Sequence, residues 1–91
     1  VGSGSSRRHV LAALEAIGMA EFFEHIVSKD DVSRSKPDPE TFLRCAELMG
    51  VAPDRCLVFE DGALGLEAAQ SAGMATVFVD PDRFGRRVEI T

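Results

Sequence analysis

The sequence has little of what marks a membrane, secreted or nucleic-acid-binding protein. Its apolar runs fall far short of the roughly 18 residues that a membrane span needs, and no signal-peptide pattern is visible. Positive charge is scarce, with 10 lysines and arginines against 15 acidic residues and a net charge of −5. That balance argues against a general nucleic-acid binder. We expect a cytoplasmic protein without membrane or nucleic-acid partners.

Cysteine is scarce as well. Cys45 falls within a predicted helix and Cys56 at the start of a predicted strand, and the two lack the spacing of a metal site. We expect two reduced, partly buried thiols rather than a disulfide. With 91 residues, the chain holds one domain at most and a modest core. Because the first residue is Val1 and not Met, we expect the sequence to be part of something longer.

What the chain does contain is an alternation of helices and strands. Apolar residues recur at helical spacing from about Ser6 to Ile17. A second helix is predicted to begin with Asp38 as its N-cap and Pro39 at its first position. A third is predicted to open at Asp61 or Gly62 and to run to about residue 72.

Two apolar runs, at 56–59 and 75–79, predict strands buried on both faces of a parallel sheet. Residues 25–28 predict a shorter strand, and residues 1–3 the end of another. This order is typical of an α/β fold with a Rossmann-like, doubly wound parallel sheet in three layers, here only part of one. The tail at 80–91 stays unassigned.

Three polar segments follow the predicted strand ends: Ser3-Gly4-Ser5, Lys36-Pro37-Asp38-Pro39 and Glu60-Asp61-Gly62. Doubly wound sheets bind their ligands at the carboxyl ends of the strands. The coincidence of all three segments with strand ends indicates a phosphoryl-transfer site.

Each segment has a functional and an ordinary interpretation. The serine-rich turn through Ser6 can hold a phosphate at a helix N-terminus, or can simply cap that helix. Lys36 can place its ammonium against a phosphoryl oxygen, or can lie at the surface. Glu60 and Asp61 suit Mg²⁺, which favours carboxylate oxygens, although Asp61 could serve only as a helix cap. Arg7 could reach a second polar group of a substrate or lie in solvent.

The sequence resembles the C-terminal half of the core domain of haloacid dehalogenase-superfamily hydrolases, over nearly its whole length. It is most similar to the subgroup of β-phosphoglucomutase and the sugar-phosphate phosphatases. Ser3 matches the second motif of that family, Lys36 the third, and Glu60-Asp61 the fourth. The three motifs stand in the family's order.

This resemblance implies a Mg²⁺-dependent phosphatase of small phosphorylated metabolites, with sugar phosphates as the expected substrates. An Asp nucleophile would form an aspartyl-phosphate intermediate. Ser3 would hydrogen-bond a phosphoryl oxygen, and Gly4 would offer its backbone N–H. Lys36 would neutralise developing charge, and Asp61 with Glu60 would bind the metal. By a looser match, Ser5, Ser6 and Arg7 correspond to positions that face the substrate in the members that act on phosphosugars.

The family's first motif, which carries the nucleophile and the general acid, is absent from this sequence, and so is the cap domain that selects the substrate. No Asp in the sequence has the right setting to substitute. We therefore expect this stretch alone to be inactive, and to need the missing N-terminal half or a second chain. A phosphomutase of the β-phosphoglucomutase type uses the same motifs and stays open as an alternative. So does a non-catalytic α/β binding module, which would explain the missing nucleophile.

Overall fold

A computed structural model of the chain describes residues 1–80 and 82. The described residues form three α-helices and two β-strands, connected through short 3₁₀ turns. In chain order these are α1 (Arg7–Ala16), α2 (Glu40–Met49), β1 (Leu57–Glu60), α3 (Ala63–Ser71) and β2 (Ala75–Phe78). No helix in this part of the chain is long and apolar enough to cross a membrane. The tail at 80–91 lies outside the described residues, apart from residues 80 and 82.

Helix α1 begins directly after Ser6, as the sequence predicts. The Ser6 hydroxyl accepts a hydrogen bond from the His9 N–H at 3.3 Å, which satisfies one of the N–H groups that a helix start leaves without a partner. The helix ends at Ala16, and Ile17 takes the C-cap position.

Helix α2 begins one residue later than the sequence predicts. Pro39 is the N-cap and Glu40 the first helical residue, so the placement of Asp38 as N-cap is wrong. Asp38 still caps the start from outside, because its carboxylate accepts from the Glu40 N–H at 2.9 Å. This Asx-type turn competes with helical geometry at Asp38. The helix ends at Met49, and the C-cap position is taken by Gly50, whose φ of 67° is left-handed and therefore favours glycine.

Strands β1 and β2 pair in parallel, with Leu57 opposite Ala75 and Glu60 opposite Phe78. Helix α3 connects them and packs against both, which confirms the predicted βαβ unit. Helices α2 and α3 cover one face of this sheet. The core beneath them is built from small and medium side chains: Phe42, Ala46, Cys56, Val58, Ala68, Ala69, Ala72 and Met74. Cys45 and Cys56 are both free thiols, as expected.

The prediction that both faces of the strands are buried is wrong for this chain. Val58 points into the core, but its neighbours Leu57 and Phe59 are 54% and 66% exposed, and Val77, opposite Phe59 on the same face, is exposed too. No described helix covers that second face. The apolar runs are thus correctly strands, but only one side of each finds a packing partner within these residues.

A second piece of parallel pairing lies at the start of the chain. Gly2 forms an isolated parallel bridge with Val27, where the Val27 N–H donates to Val1 O at 2.7 Å and the Ser3 N–H donates to Val27 O at 2.9 Å. The short strand predicted at 25–28 is thereby reduced to one bridge. Between this bridge and β1 lies a groove of about 380 Å³, lined in part by Val1, Gly2, Leu57, Phe59 and Glu60.

Candidate active site

Lys36 contacts the fourth motif segment directly and the residue that precedes the second. Its Nζ donates to Glu60 Oε2 at 3.0 Å and to the backbone oxygen of Gly2, next to Ser3, at 3.2 Å. The Asp38 N–H donates to Ser35 O at 3.0 Å, which closes the turn that carries Lys36 to α2. The structure therefore places one ammonium group between Glu60 and the backbone that leads into Ser3.

The Lys36–Glu60 ion pair is largely shielded from solvent. The side chains are 17% and 13% exposed. The ammonium also lies over the ring of Phe42, with Nζ 4.8 Å from the ring centroid, a favourable cation–π geometry. The three groups that contact the Lys36 ammonium, from Gly2, Phe42 and Glu60, belong to residues that line the groove.

Glu60 is a charged carboxylate held by hydrogen-bond donors. Burial works to raise its pKa, but the hydrogen bond and charge of Lys36, together with the Asp61 N–H, lower the pKa below its ordinary value. The Asp61 N–H donates to Glu60 Oε1 at 3.1 Å. Glu60 also packs directly on Gly65, since a Cβ at that glycine would overlap the Glu60 side chain.

Asp61 lies just beyond β1, with an exposed side chain. Within the described residues, no group of three or more His, Cys, Asp and Glu side chains could hold a metal ion. The donor chemistry still fits Mg²⁺ in part, because Glu60 and Asp61 place two carboxylates at a strand end and Mg²⁺ completes its shell with water and phosphate oxygens. These residues would supply only part of such a shell.

Ser3 and Gly4 lie in a tight turn at the bridge with Val27. The Ser3 hydroxyl accepts from the Ser5 N–H at 3.0 Å, and one lone pair and the hydroxyl proton are left for a ligand. Gly4 is exposed, and its α-carbon faces open space. Ser5 O accepts from the Lys29 N–H at 3.0 Å, while the Ser6 hydroxyl caps α1.

Arg7 is engaged within the fold. Its Nη2 donates to Ile26 O at 2.9 Å and to Asp31 Oδ2 at 3.3 Å, and its backbone N–H donates to Asp30 Oδ2 at 3.0 Å. Asp31 also accepts from the N–H and hydroxyl of Ser28, at 2.8 and 2.9 Å. This network anchors the start of α1 to the turn at 28–31, which competes with the predicted substrate contact of Arg7.

Two acidic elements of the structure were not predicted from the sequence. The capping box of Ser28 and Asp31 was signalled by the spacing Ser-x-x-Asp. Asp80 and Asp82 follow β2 with the spacing Asp-x-Asp, and there the Asp82 N–H donates to Asp80 Oδ1 at 2.9 Å. The sheet pairing continues toward them, because the Val79 N–H donates to Glu60 O at 2.9 Å.

Comparison with known proteins identifies the family. The model of the haloacid dehalogenase-like hydrolases matches residues 1–73. The fructose-1-phosphate phosphatase YqaB of Escherichia coli is 46% identical over 79 residues, which cover 87% of this chain and 42% of that protein. A phosphorylated carbohydrates phosphatase of Thermotoga maritima is 35% identical over 78 residues, covering 86% of this chain and 36% of that protein.

Solved structures agree with the fold. A β-phosphoglucomutase from Clostridium difficile matches with a TM-score of 0.74 and 33% identity, over 77% of this chain and 31% of that one. A haloacid dehalogenase-like protein from Agrobacterium tumefaciens matches with a TM-score of 0.78 and 37% identity, over 82% and 35%. The expected Rossmann-like α/β class is thus confirmed, as part of a domain.

The chain spans well under half the length of these relatives, 42% of the E. coli protein and 36% of the T. maritima protein. The match to the family model, at residues 1–73, includes Ser3, Lys36 and Glu60-Asp61. The family match, the identities and the fold lead to one conclusion. The chain belongs to the haloacid dehalogenase-like hydrolase family, in the part of it that resembles the sugar phosphatases and β-phosphoglucomutase.

Proposed function

We propose that this chain forms one half of the active site of a Mg²⁺-dependent phosphatase of small phosphorylated metabolites, foremost sugar phosphates. The observation that carries the proposal is the position of the Lys36 ammonium. It lies 3.0 Å from Glu60 and 3.2 Å from the oxygen of Gly2, the residue before Ser3. A partly desolvated, fixed cation at a strand-end edge is suited to stabilise phosphoryl oxygens.

Each residue would act through the atom that the fold presents. The Ser3 hydroxyl and the Gly4 N–H would bind phosphoryl oxygens at the turn before α1. Lys36 would stabilise negative charge on the phosphoryl group and on the carboxylate that attacks it. Asp61, with Glu60 beside it, would hold Mg²⁺, which supplies charge neutralisation at the phosphoryl oxygens.

The attacking carboxylate is the part that this stretch is not expected to supply. An aspartate nucleophile would attack the phosphorus to form an aspartyl-phosphate. The bond to the sugar oxygen would break, and that oxygen would take a proton from a general acid, which this stretch is likewise not expected to supply. Water would then attack the phosphorus, releasing phosphate and restoring the aspartate. We propose that residues 1–91 are the C-terminal part of the core domain, that the nucleophile strand and cap lie outside them, and that they are inactive alone. The exposed Leu57 and Phe59 beside the groove support the need for a further covering segment.

The substrate class rests on the relatives. Two proteins that share 46% and 35% of the aligned residues are a fructose-1-phosphate phosphatase and a phosphorylated carbohydrates phosphatase. A phosphomutase is the second candidate, because a β-phosphoglucomutase shares the fold at 33% identity. The two functions differ in the acceptor, which is water for the phosphatase and a second sugar hydroxyl for the mutase. A non-catalytic module is the third, and it would have no use for a shielded Lys36.

A hybrid enzyme tests this proposal. The 79 aligned residues of the E. coli fructose-1-phosphate phosphatase are replaced by their counterparts from this chain, and phosphate release from a panel of sugar phosphates is measured with and without Mg²⁺. We expect Mg²⁺-dependent release by the hybrid and none by the 91-residue chain alone. A folded hybrid without turnover, alongside an active parent enzyme, would contradict the proposed role of this half-site.

A further inference from the structure

Two residues outside the predicted site adjoin the Lys36–Glu60 pair. Phe42, in the first turn of α2, is 6% exposed and places its ring under the Lys36 ammonium, 4.8 Å from Nζ to the ring centroid. Gly65, in α3, is buried and packs against the carboxylate end of Glu60. Neither residue carries a group that reacts with a phosphate, so any role in the reaction would be exercised through Lys36.

We propose that Phe42 and Gly65 are positioning residues for Lys36, an inference that rests on the proposed function of that lysine. The lysine side chain is flexible, and fixing it in one geometry costs conformational entropy. The ring of Phe42 fixes the ammonium from one side by a cation–π contact. The Gly2 oxygen and the Glu60 carboxylate fix it by hydrogen bonds. The remaining N–H of the ammonium is left for a phosphoryl oxygen.

Gly65 acts on Lys36 indirectly, through Glu60. Glu60 reaches Lys36 only because the α-carbon of Gly65 bears no side chain, since a Cβ there would overlap the Cγ, Cδ and Oε2 atoms of Glu60. Within a helix, alanine is ordinarily more favourable than glycine. A glycine at this helical position is therefore explained by the space that Glu60 occupies, and an alanine would push the carboxylate away from Lys36.

Gly2 supports the position of the Lys36 ammonium from the side of α2. A Cβ on Gly2 would lie 3.1 Å from Cys45 Sγ, 3.1 Å from Thr41 Cγ2 and 3.2 Å from Phe42 Cε1. The backbone of Gly2 thus rests directly on α2, beside the ring that carries Lys36. Its carbonyl oxygen can then accept from Nζ without a side chain in between.

The sequence makes the first test simple, because it contains only two lysines, Lys29 and Lys36. Protons above the face of an aromatic ring are shielded and resonate upfield. In a chain labelled at the lysine ε-carbons, we expect the Lys36 ε-CH₂ signals to lie upfield of those of the exposed Lys29. Coincident signals in the folded, unaltered chain would overturn the role of Phe42, and this comparison needs no variant.

Variants sharpen that test. Phe42→Leu keeps an apolar side chain but removes the ring, and with it the ring-current shift, so the readout for this variant is the mobility of the lysine ε-carbons measured by ¹³C relaxation. We expect the Lys36 ε-carbon to be more ordered than that of Lys29 in the unaltered chain and to become as mobile as that of Lys29 in Phe42→Leu. Phe22→Leu, at an exposed phenylalanine, is the matched control and should leave this difference intact. A folded Phe42→Leu chain in which the Lys36 ε-carbon stays as ordered as before would contradict the proposal.

The role of Gly65 is tested by a reversal of sign. Gly65→Ala should lower the thermal midpoint of unfolding and move the Lys36 ε-CH₂ signals toward those of Lys29, because Glu60 is displaced. In a Glu60→Ala background the overlap is gone, so the same Gly65→Ala substitution should raise the midpoint through its helix propensity. The same sign in both backgrounds would overturn the inference.

These measurements are independent of turnover. If the hybrid enzyme were inactive while the lysine signals behaved as expected, the proposed function would fail and the support of Lys36 would stand. If the hybrid were active while the signals coincided, the function would stand and the positioning role of Phe42 would fail.

Discussion

The ammonium of Lys36 lies 3.0 Å from the carboxylate of Glu60, although 24 positions separate the two residues in the sequence. Lys36 comes from the turn before α2 and Glu60 from the end of β1, so the pair ties two separate strand–helix connections together. Both side chains are mostly shielded from solvent. The pair is therefore both the centre of the candidate site and a structural link.

Breaking this pair should cost stability. Lys36→Met leaves the Glu60 carboxylate without its main partner, so we expect the free energy of unfolding to fall by about 1–3 kcal/mol. This is less than the loss of about 3–5 kcal/mol that follows when a fully buried ion pair is broken. Urea unfolding measures the change. Lys29→Met, at an exposed lysine, is the control and should have little effect; equal losses for both variants would rule out a special role for the pair.

Stability should also decline in acid, in a window set by two carboxylates. The pKa of Glu60 is lowered from 4.5: burial alone would raise it, but Lys36 and the Asp61 N–H more than offset burial. The pKa of Asp31 is lowered from 3.8 by the N–H and hydroxyl of Ser28 and then by Arg7. A lowered folded-state pKa gives stability that is present above the unfolded-state pKa and is lost as the pH falls through the folded-state value.

The check is unfolding by urea from neutral pH to below about pH 4. We expect the unaltered chain to lose stability over the lower part of that range. Glu60→Gln and Asp31→Asn should each flatten the loss, and the double variant should flatten it most. An unchanged acid slope in the double variant would show that other carboxylates govern the response.

Asp61 should matter for turnover and hardly at all for folding. Its side chain is exposed, so Asp61→Asn should leave the thermal midpoint of the chain nearly unchanged. In the hybrid enzyme the same change should lower Mg²⁺-dependent turnover by about 10²-fold or more, because a bound metal ion supplies several kcal/mol of charge stabilisation. Asp54→Asn, in the 3₁₀ turn before β1, is the matched control; comparable losses from both variants would argue against metal binding at Asp61.

Arg7 should act through the fold. Its guanidinium and Asp31 form an exposed ion pair at 3.3 Å, and a double-mutant cycle of Arg7→Met and Asp31→Asn should give a coupling energy of up to about 1 kcal/mol. The KM of the hybrid for sugar phosphates should change little in Arg7→Met. A large rise in KM without loss of stability would instead support the substrate contact predicted from the sequence.

Much of the fold could be predicted from the sequence because local signals and the tertiary structure agree. The apolar runs at β1 and β2 and the helical spacing of α3 specify a parallel βαβ unit on their own. The burial of the strands was harder to predict, because an apolar strand such as Leu57–Glu60 can be packed against other elements on both faces or on one face alone. Which faces are covered depends on segments elsewhere: in the described part of the chain α3 packs on both strands, and Phe42 and Ala46 of α2 share the core with Val58.

The candidate site, like the fold, could be predicted from the sequence only in part. Lys36 and Glu60 could be placed at one edge from the rule that parallel strands end together. Their direct ion pair, the ring of Phe42 beneath it and the space at Gly65 depend on side-chain packing between helices, which no local pattern specifies. Arg7 shows a different difficulty. Its position after a serine-rich turn predicts a substrate contact, which stays a prediction, whereas its ion pair with Asp31 depends on a contact between residues 24 positions apart that no local pattern specifies.

The measurement that tests the central claim most directly is the turnover of the hybrid enzyme with Lys36 and with Met at that position, at matched folded fractions. We predict that the Lys36 hybrid releases phosphate from sugar phosphates in a Mg²⁺-dependent reaction. The rate of the Lys36→Met hybrid should be lower by about 10²–10³-fold, because one fixed charge-stabilising group is lost. Equal rates for the two hybrids would mean that Lys36 only holds the fold together, and the proposed half-site would be wrong.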